Sequence, residues 1–203
     1  MHIPDYVQCI EFPCEQAHHV SYQVPDLDVD PETMRLVLVS ETAPIDPQDG
    51  YYAGAEALFA RTTLQAFNEA GVNANSIQDL LNMGIYFTTA VKCGKLGYSV
   101  ASNMVRTCSY LLETELALFP NIRAILLMGD VAIKALNAIA KRQGEPRVIP
   151  AGSTYKIRGG DFSYLGKKVF PSYLQAGPSY GIEKSKQRMI AEDIASAMKI
   201  AET

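Results

Sequence analysis

The chain has 203 residues, 48% of them hydrophobic, and a formal net charge of −4. That length can bury a sizeable core in one domain. No run of about 18 apolar residues is present to cross a bilayer, and the acidic balance argues against a general nucleic-acid binder. The charge is uneven: residues 1–129 hold 6 Lys and Arg against 15 Asp and Glu, and residues 130–203 hold 12 against 7. A basic last third can face phosphates, or simply solvent.

The opening, "MHIPDYVQCIEFPCEQ", has no basic stretch followed by an apolar one, so no leader is expected and the protein is placed in the cytosol. Residues 1–34 read as a lead-in that ends in the acidic, proline-containing "YQVPDLDVDPETM". "RLVLVSE" (35–41) is a continuous apolar run, as expected of a strand covered on both faces. A loop with two prolines follows over 42–52. Residues 53–71 have helical periodicity and stop at Gly71, a C-cap. Ser76 caps a short helix over 76–84. "IYFTTAV" (85–91) is a second buried strand, running into Lys92, Cys93 and Gly94. A long helix over 99–119 closes at Pro120, a third apolar strand covers 122–129, and a helix follows over 131–144. Residues 153–174 alternate and carry glycine turns, which predicts hairpin-like strands. A last helix spans about 182–200.

Strands alternating with helices predict a three-layer α/β/α sandwich with a central, mainly parallel, four-stranded sheet, all within one domain over 1–203. Ligands bind such sheets beyond the carboxyl ends of the strands. The loops that matter are then 40–52, 89–97 and 170–177. The four cysteines are Cys9, Cys14, Cys93 and Cys108. In a reducing compartment they are free thiols or metal ligands. From spacing alone both readings stand, with zinc, assisted by His18 or His19, among the metals.

Those three loops carry a resemblance to the uracil-DNA glycosylase superfamily, in particular to its iron–sulfur, family-four branch. The stretches are "SETAP" (40–44), "YYAGAEALF" (51–59), "TTAVKC" (88–93), "CSYLLETELALFPNIRAILLMGDVAIKAL" (108–136) and "FPSYLQAG" (170–177). The resemblance implies a uracil-DNA glycosylase-like fold and a [4Fe–4S] cluster held by Cys9, Cys14, Cys93 and Cys108, with zinc as the alternative. It implies DNA as partner, carrying a damaged or deaminated base, and a monomer with no membrane contact. The implied reaction is hydrolysis of the N-glycosidic bond of a flipped base, which needs the base edge to be read and the departing anion to be stabilised.

Within that resemblance the catalytic pattern is altered. Tyr52 stands for the family's stacking aromatic. Thr89 stands where the family has the Asn that reads uracil, and a hydroxyl cannot offer the two-sided amide pattern. Phe170 replaces the histidine that donates to the leaving base, so Ser172 is taken as a substitute donor. Glu41 keeps the acid of the first loop and is assigned to orient water or sugar. Lys184, Lys186 and Arg188 are expected to meet phosphates. The expected function is therefore a DNA glycosylase-like protein with atypical catalytic residues. The alternatives are a non-catalytic iron–sulfur relative that binds nucleic acid or nucleotides, and an enzyme acting on a free nucleoside.

Overall fold

A computed structural model describes residues 1–203. The lead-in has little regular structure: β1 (Ala17–His18) is a two-residue strand with a short 3₁₀ turn after it. The first apolar run forms β2 (Leu36–Thr42). Then come α1 (Leu58–Glu69), α2 (Ile77–Asn82), β3 (Ile85–Val91) and β4 (Gly94–Lys95). They are followed by α3 (Ser102–Ala117), β5 (Ala124–Met128) and α4 (Asp130–Arg142). The last third holds α5 (Thr154–Ile157), β6 (Phe162–Tyr164), β7 (Lys167–Ser172) and α6 (Lys184–Glu202).

The main sheet has the order β3-β2-β5-β7-β6. The first three pairings are parallel, and β6 runs antiparallel to β7. Every residue of β3 and β5 is buried, which is the physical reason those strands read as unbroken apolar runs. Helices α3 and α4 pack on one face, and α1 and α6 pack together on the other. The three-layer architecture is as expected, but the sheet has five strands where four were expected. The extra strand comes from a two-residue turn at Leu165 and Gly166, both at positive φ, which folds β6 back on β7. The alternation over 153–174 is thus only partly strand, because its first residues form the helical turn α5. The small β1–β4 ladder had no signal in the sequence.

Local signals set the helix ends. Ser76 and Asp79 form a reciprocal capping box at the start of α2. Helix α4 has Asp130 in its first turn and Lys141 and Arg142 in its last, complementing its dipole. Gly129, at φ +100°, turns the chain from β5 into α4. A side chain there would collide with Glu41, whose Oε1 lies 2.5 Å from where the Cβ would sit. This close approach brings the end of β2 against the start of α4.

Candidate functional site

Two cavities lie at the carboxyl ends of the central strands. One, of about 260 Å³, opens over β2 and β3 and is lined by Tyr51, Tyr52, Phe59, Thr88, Thr89 and part of the lead-in. The other, of about 360 Å³, lies over β2, β5 and β7, with Glu41, Asp130, Tyr173 and Lys186 in its wall. The residues singled out in the sequence are therefore divided: Tyr52 and Thr89 share the first cavity, and Glu41 faces the second.

In the first cavity most polar side chains already have partners. The Tyr52 hydroxyl donates to the Phe87 carbonyl (2.9 Å) and accepts from the Phe87 amide (3.0 Å), which fixes its ring against β3. Tyr51 donates to Ser40 Oγ (2.8 Å) and accepts from Gln175 Nε2 (2.9 Å). Burial pushes both phenols well above their ordinary range, so they act as neutral groups. Thr89 is 7% exposed, and its hydroxyl donates to the Val91 carbonyl at 3.0 Å. Tyr51 packs at 5.4 Å from Phe59 and 5.5 Å from Phe87, between ring centroids. The result is a fixed aromatic wall, as a stacked planar ligand requires.

Glu41 accepts from the Val131 amide at 3.3 Å, in the first turn of α4, where the helix dipole favours a carboxylate. Lys186 pairs with Glu183 at 2.6 Å and lies 5.5 Å from the Tyr173 ring. Arg188 sits 3.7 Å from Glu192 and is largely exposed, and Lys184 has no acidic partner. Phe170 and Ser172 fall differently from expectation. Phe170 lies inside β7, opposite Leu126 of β5, packs half-buried against the core and lines neither cavity. Ser172 is fully buried and donates to Asp193 Oδ2 at 2.6 Å. Asp193 in turn takes Arg158 at 2.8 and 3.1 Å. Because β7 continues through Ser172, the loop expected to start at Phe170 starts three residues later, at Tyr173, and the Ser172 hydroxyl is held by α6.

The four cysteines face one cavity. Cys9, Cys14, Cys93 and Cys108 all line one largely apolar cavity of about 370 Å³, closed by Phe12, Met104 and Leu111. Burial pushes the Cys93 thiol up to about 12, with Cys108, Cys9 and Cys14 adding to the shift. Burial raises Cys108 to about 11, against the opposing Lys92 amide hydrogen bond and charge. Burial raises Cys14 as well, so Cys14, Cys93 and Cys108 are neutral at physiological pH unless a cationic centre compensates them. No three His, Cys, Asp or Glu side chains are grouped to hold a metal ion; the sulfurs stand in the cavity wall instead. His19 reaches the same cavity, its Nδ1 3.8 Å from Cys93 Sγ, while His18 bonds Ser21. The donor set and the space fit a thiolate-ligated cluster.

Between the cysteine cavity and the Tyr52 cavity lies a buried ion pair that the sequence reading missed. Lys92 and Glu115 are both 0% exposed and directly paired. Lys92 Nζ also donates to Thr88 Oγ1 (2.6 Å) and the Thr89 carbonyl (2.8 Å), and its backbone amide donates to Cys108 Sγ (3.2 Å). Tyr86 donates to Glu115 at 2.6 Å. The available signal was Glu115 itself: a carboxylate seven residues after Cys108 in α3 sits on the same apolar face. Gln23 carried no signal, since it lies in no periodic or motif-bearing stretch; Gln175 lies within "FPSYLQAG", but nothing in that stretch marks it as the partner of Tyr51.

No family model matches the chain. A curated relative, the type-5 uracil-DNA glycosylase of Thermus thermophilus, is 30% identical over 123 residues, 61% of this chain. The chain spans about half the length of that relative, 53%. The resemblance to the uracil-DNA glycosylase superfamily is borne out by it, with a type-5 relative beside the family-four motifs. The wild-type UNG crystal structure from Nitratifractor salsuginis overlaps 82% of this chain and 75% of its own, at 11% identity and a TM-score of 0.38.

Proposed function

We infer that the chain is a DNA glycosylase-like protein that binds a flipped base in the Tyr52 cavity and hydrolyses its N-glycosidic bond. The similarity to a uracil-DNA glycosylase, joined to an aromatic-walled cavity at the carboxyl ends of β2 and β3, carries this reading. The base stacks on Tyr52, beside Thr89. Water attacks C1′, the C1′–N bond breaks, and its electron pair leaves with the base, which is then protonated. Glu41 is the carboxylate left to orient water or sugar, from the neighbouring cavity. Ser172 would have to release Asp193 to donate to the base, so its role is to anchor β7 to α6. Phe170 acts through packing. Lys184, Lys186 and Arg188 lie on the first two turns of α6 and would meet the DNA backbone. Cys9, Cys14, Cys93 and Cys108 would hold a [4Fe–4S] cluster, which fixes the lead-in against β3 and α3; a single zinc ion fits the dispersed sulfurs less well. The protein acts as one domain, a monomer in the cytosol.

A second reading is a non-catalytic iron–sulfur protein that binds nucleic acid or a nucleotide. The absence of an amide at position 89 and of a histidine at 170 favours it. The test is base release by anaerobically purified protein from labelled single- and double-stranded oligonucleotides carrying uracil, hypoxanthine or xanthine. Cleavage after alkali at any lesion supports the glycosylase; salt-dependent binding without release supports the second reading. Iron and sulfide content, compared with single Cys→Ser variants, tests the cluster separately.

A further inference from the structure

The Tyr52 cavity contains one carboxamide, and it comes from the lead-in. Gln23 lines the cavity beside Thr88 and Thr89, on a segment held to the exit of β3 by the Gln23 amide, which donates to the Lys92 carbonyl at 2.7 Å. Its Nε2 donates to the Pro47 carbonyl at 2.8 Å. Its Oε1 has no partner in the chain and sits against Gly50, where a Cβ would approach to 2.6 Å. Gly50 has φ −68°, a conformation open to any residue, so its smallness makes room for the amide and not for the backbone.

The other polar groups of the cavity are committed. Tyr51, Tyr52 and Thr89 donate inward to the chain, and Thr88 is bound by Lys92 and Glu115. Asp26 is 87% exposed at the rim, beside His2. A planar ligand stacked on the aromatic wall presents an edge of alternating carbonyl and N–H groups. Only a carboxamide offers an acceptor and a donor side by side to such an edge. We propose that Gln23 reads the base edge in the Tyr52 cavity, supplying from the lead-in the amide that Thr89 lacks. Oε1 accepts the ring N–H, and Nε2 exchanges Pro47 for a ring carbonyl. This rests on the reading of the cavity as a base site and names its specificity-determining residue.

The test compares binding of two single-stranded oligonucleotides, in which no pair has to be opened: one carries uracil, the other 3-methyluracil, which lacks the N–H. Both carry a 2′-fluoro sugar to hold the glycosidic bond. Wild type binds the uracil strand about 10–100-fold more tightly, since 3-methyluracil offers no ring donor to Oε1 and its methyl group crowds the amide. Gln23→Leu brings the ratio to within about twofold. Gln23→Glu keeps the shape and the acceptor but cannot donate to Pro47, and it retains most of the ratio. If Gln23 only tied the lead-in to Pro47, Leu and Glu would have equal effects, which overturns the proposal. Discrimination that persists in Gln23→Leu overturns it as well. Wild type that binds both strands equally overturns the base-site reading and this assignment together, whereas discrimination independent of Gln23 overturns this assignment alone.

Discussion

Replacing Lys92 by methionine would leave Glu115 charged, unpaired and without solvent. Both side chains are 0% exposed, and the pair is tied further by Thr88, Tyr86 and the Thr89 carbonyl. Removing one partner of a buried pair costs about 3–5 kcal/mol, because the remaining charge keeps its desolvation penalty and loses its compensation. For a domain of this size that corresponds to roughly 6–20 °C in Tm. Removing both charges behaves differently. In Lys92→Met/Glu115→Gln the new amide still accepts from Tyr86 and Thr88, and the methionine fills the stem of the lysine, so the double variant should regain at least half of the loss. The assay is urea unfolding followed by tyrosine fluorescence, the chain having 11 Tyr and no Trp. Wild type, Lys92→Met and the double variant are measured in one reducing, chelating buffer, so that the cysteine site contributes equally to each. A loss below about 1 kcal/mol in Lys92→Met, or a double variant no more stable than the single, refutes the reasoning, since either outcome means water or rearrangement relieves the charge.

Gly129→Ala should cost more than about 1 kcal/mol in unfolding experiments, because its φ of +100° disfavours a side chain and its Cβ would meet Glu41; base release should fall with it, through the displaced carboxylate. The Asp79 carboxyl is held below its ordinary value of 3.8 by the Asn75 amide and then the Ser76 hydroxyl. A depressed folded value means that its contribution is present above about pH 4 and is lost as pH falls through the folded value, so the Tm gap between wild type and Asp79→Asn should narrow on acidification. Ser172→Ala removes a hydrogen bond to a charged acceptor and should destabilise by about 1.5–3 kcal/mol while leaving the rate of base release within about twofold.

The fold was legible because β2, β3 and β5 are buried on both faces, and a doubly covered strand leaves an unbroken apolar run in the sequence. The bounds of β6 were obscured because it is a three-residue edge strand with only Tyr164 buried, whose pattern cannot be told from the helical turn before it. The cysteines were legible as a set only through a family likeness, because their sequence separations of up to 99 residues leave no spacing signal; the cavity that joins them is a product of packing. Lys92 and Glu115 were hidden for the opposite reason. Each looks like an ordinary charged residue at a strand exit or on a helix, and only the tertiary contact of α3 with β3 shows that both are sealed. Glu41 and Tyr52 were read from one motif and one neighbouring stretch, yet they fall in different cavities, because Glu41 turns to the start of α4 and Tyr52 is tied to Phe87 of β3.

That separation decides how the missing family residues can be restored. Thr89 is in the wall of the Tyr52 cavity, so Thr89→Asn places an amide at the expected base edge, at the cost of the bond to the Val91 carbonyl. Phe170 is different. It lies within β7, opposite Leu126 of β5, and lines neither cavity, so Phe170→His delivers an imidazole to the packed side of the sheet and not to a leaving base. The expected outcome is therefore asymmetric. In a Gln23→Leu background, where the base edge is otherwise unread, Thr89→Asn should raise affinity for the uracil strand by about tenfold, as one bidentate amide contact allows. Adding Phe170→His should give no further gain and should lower Tm, since a half-buried apolar ring is exchanged for a polar one without a partner. Equilibrium binding of the non-hydrolysable uracil strand, together with thermal melts of the two single variants and the pair, checks both halves. A double variant that binds or releases uracil better than Thr89→Asn would mean that position 170 reaches the base after all, through a movement of β7 that also frees Ser172 from Asp193.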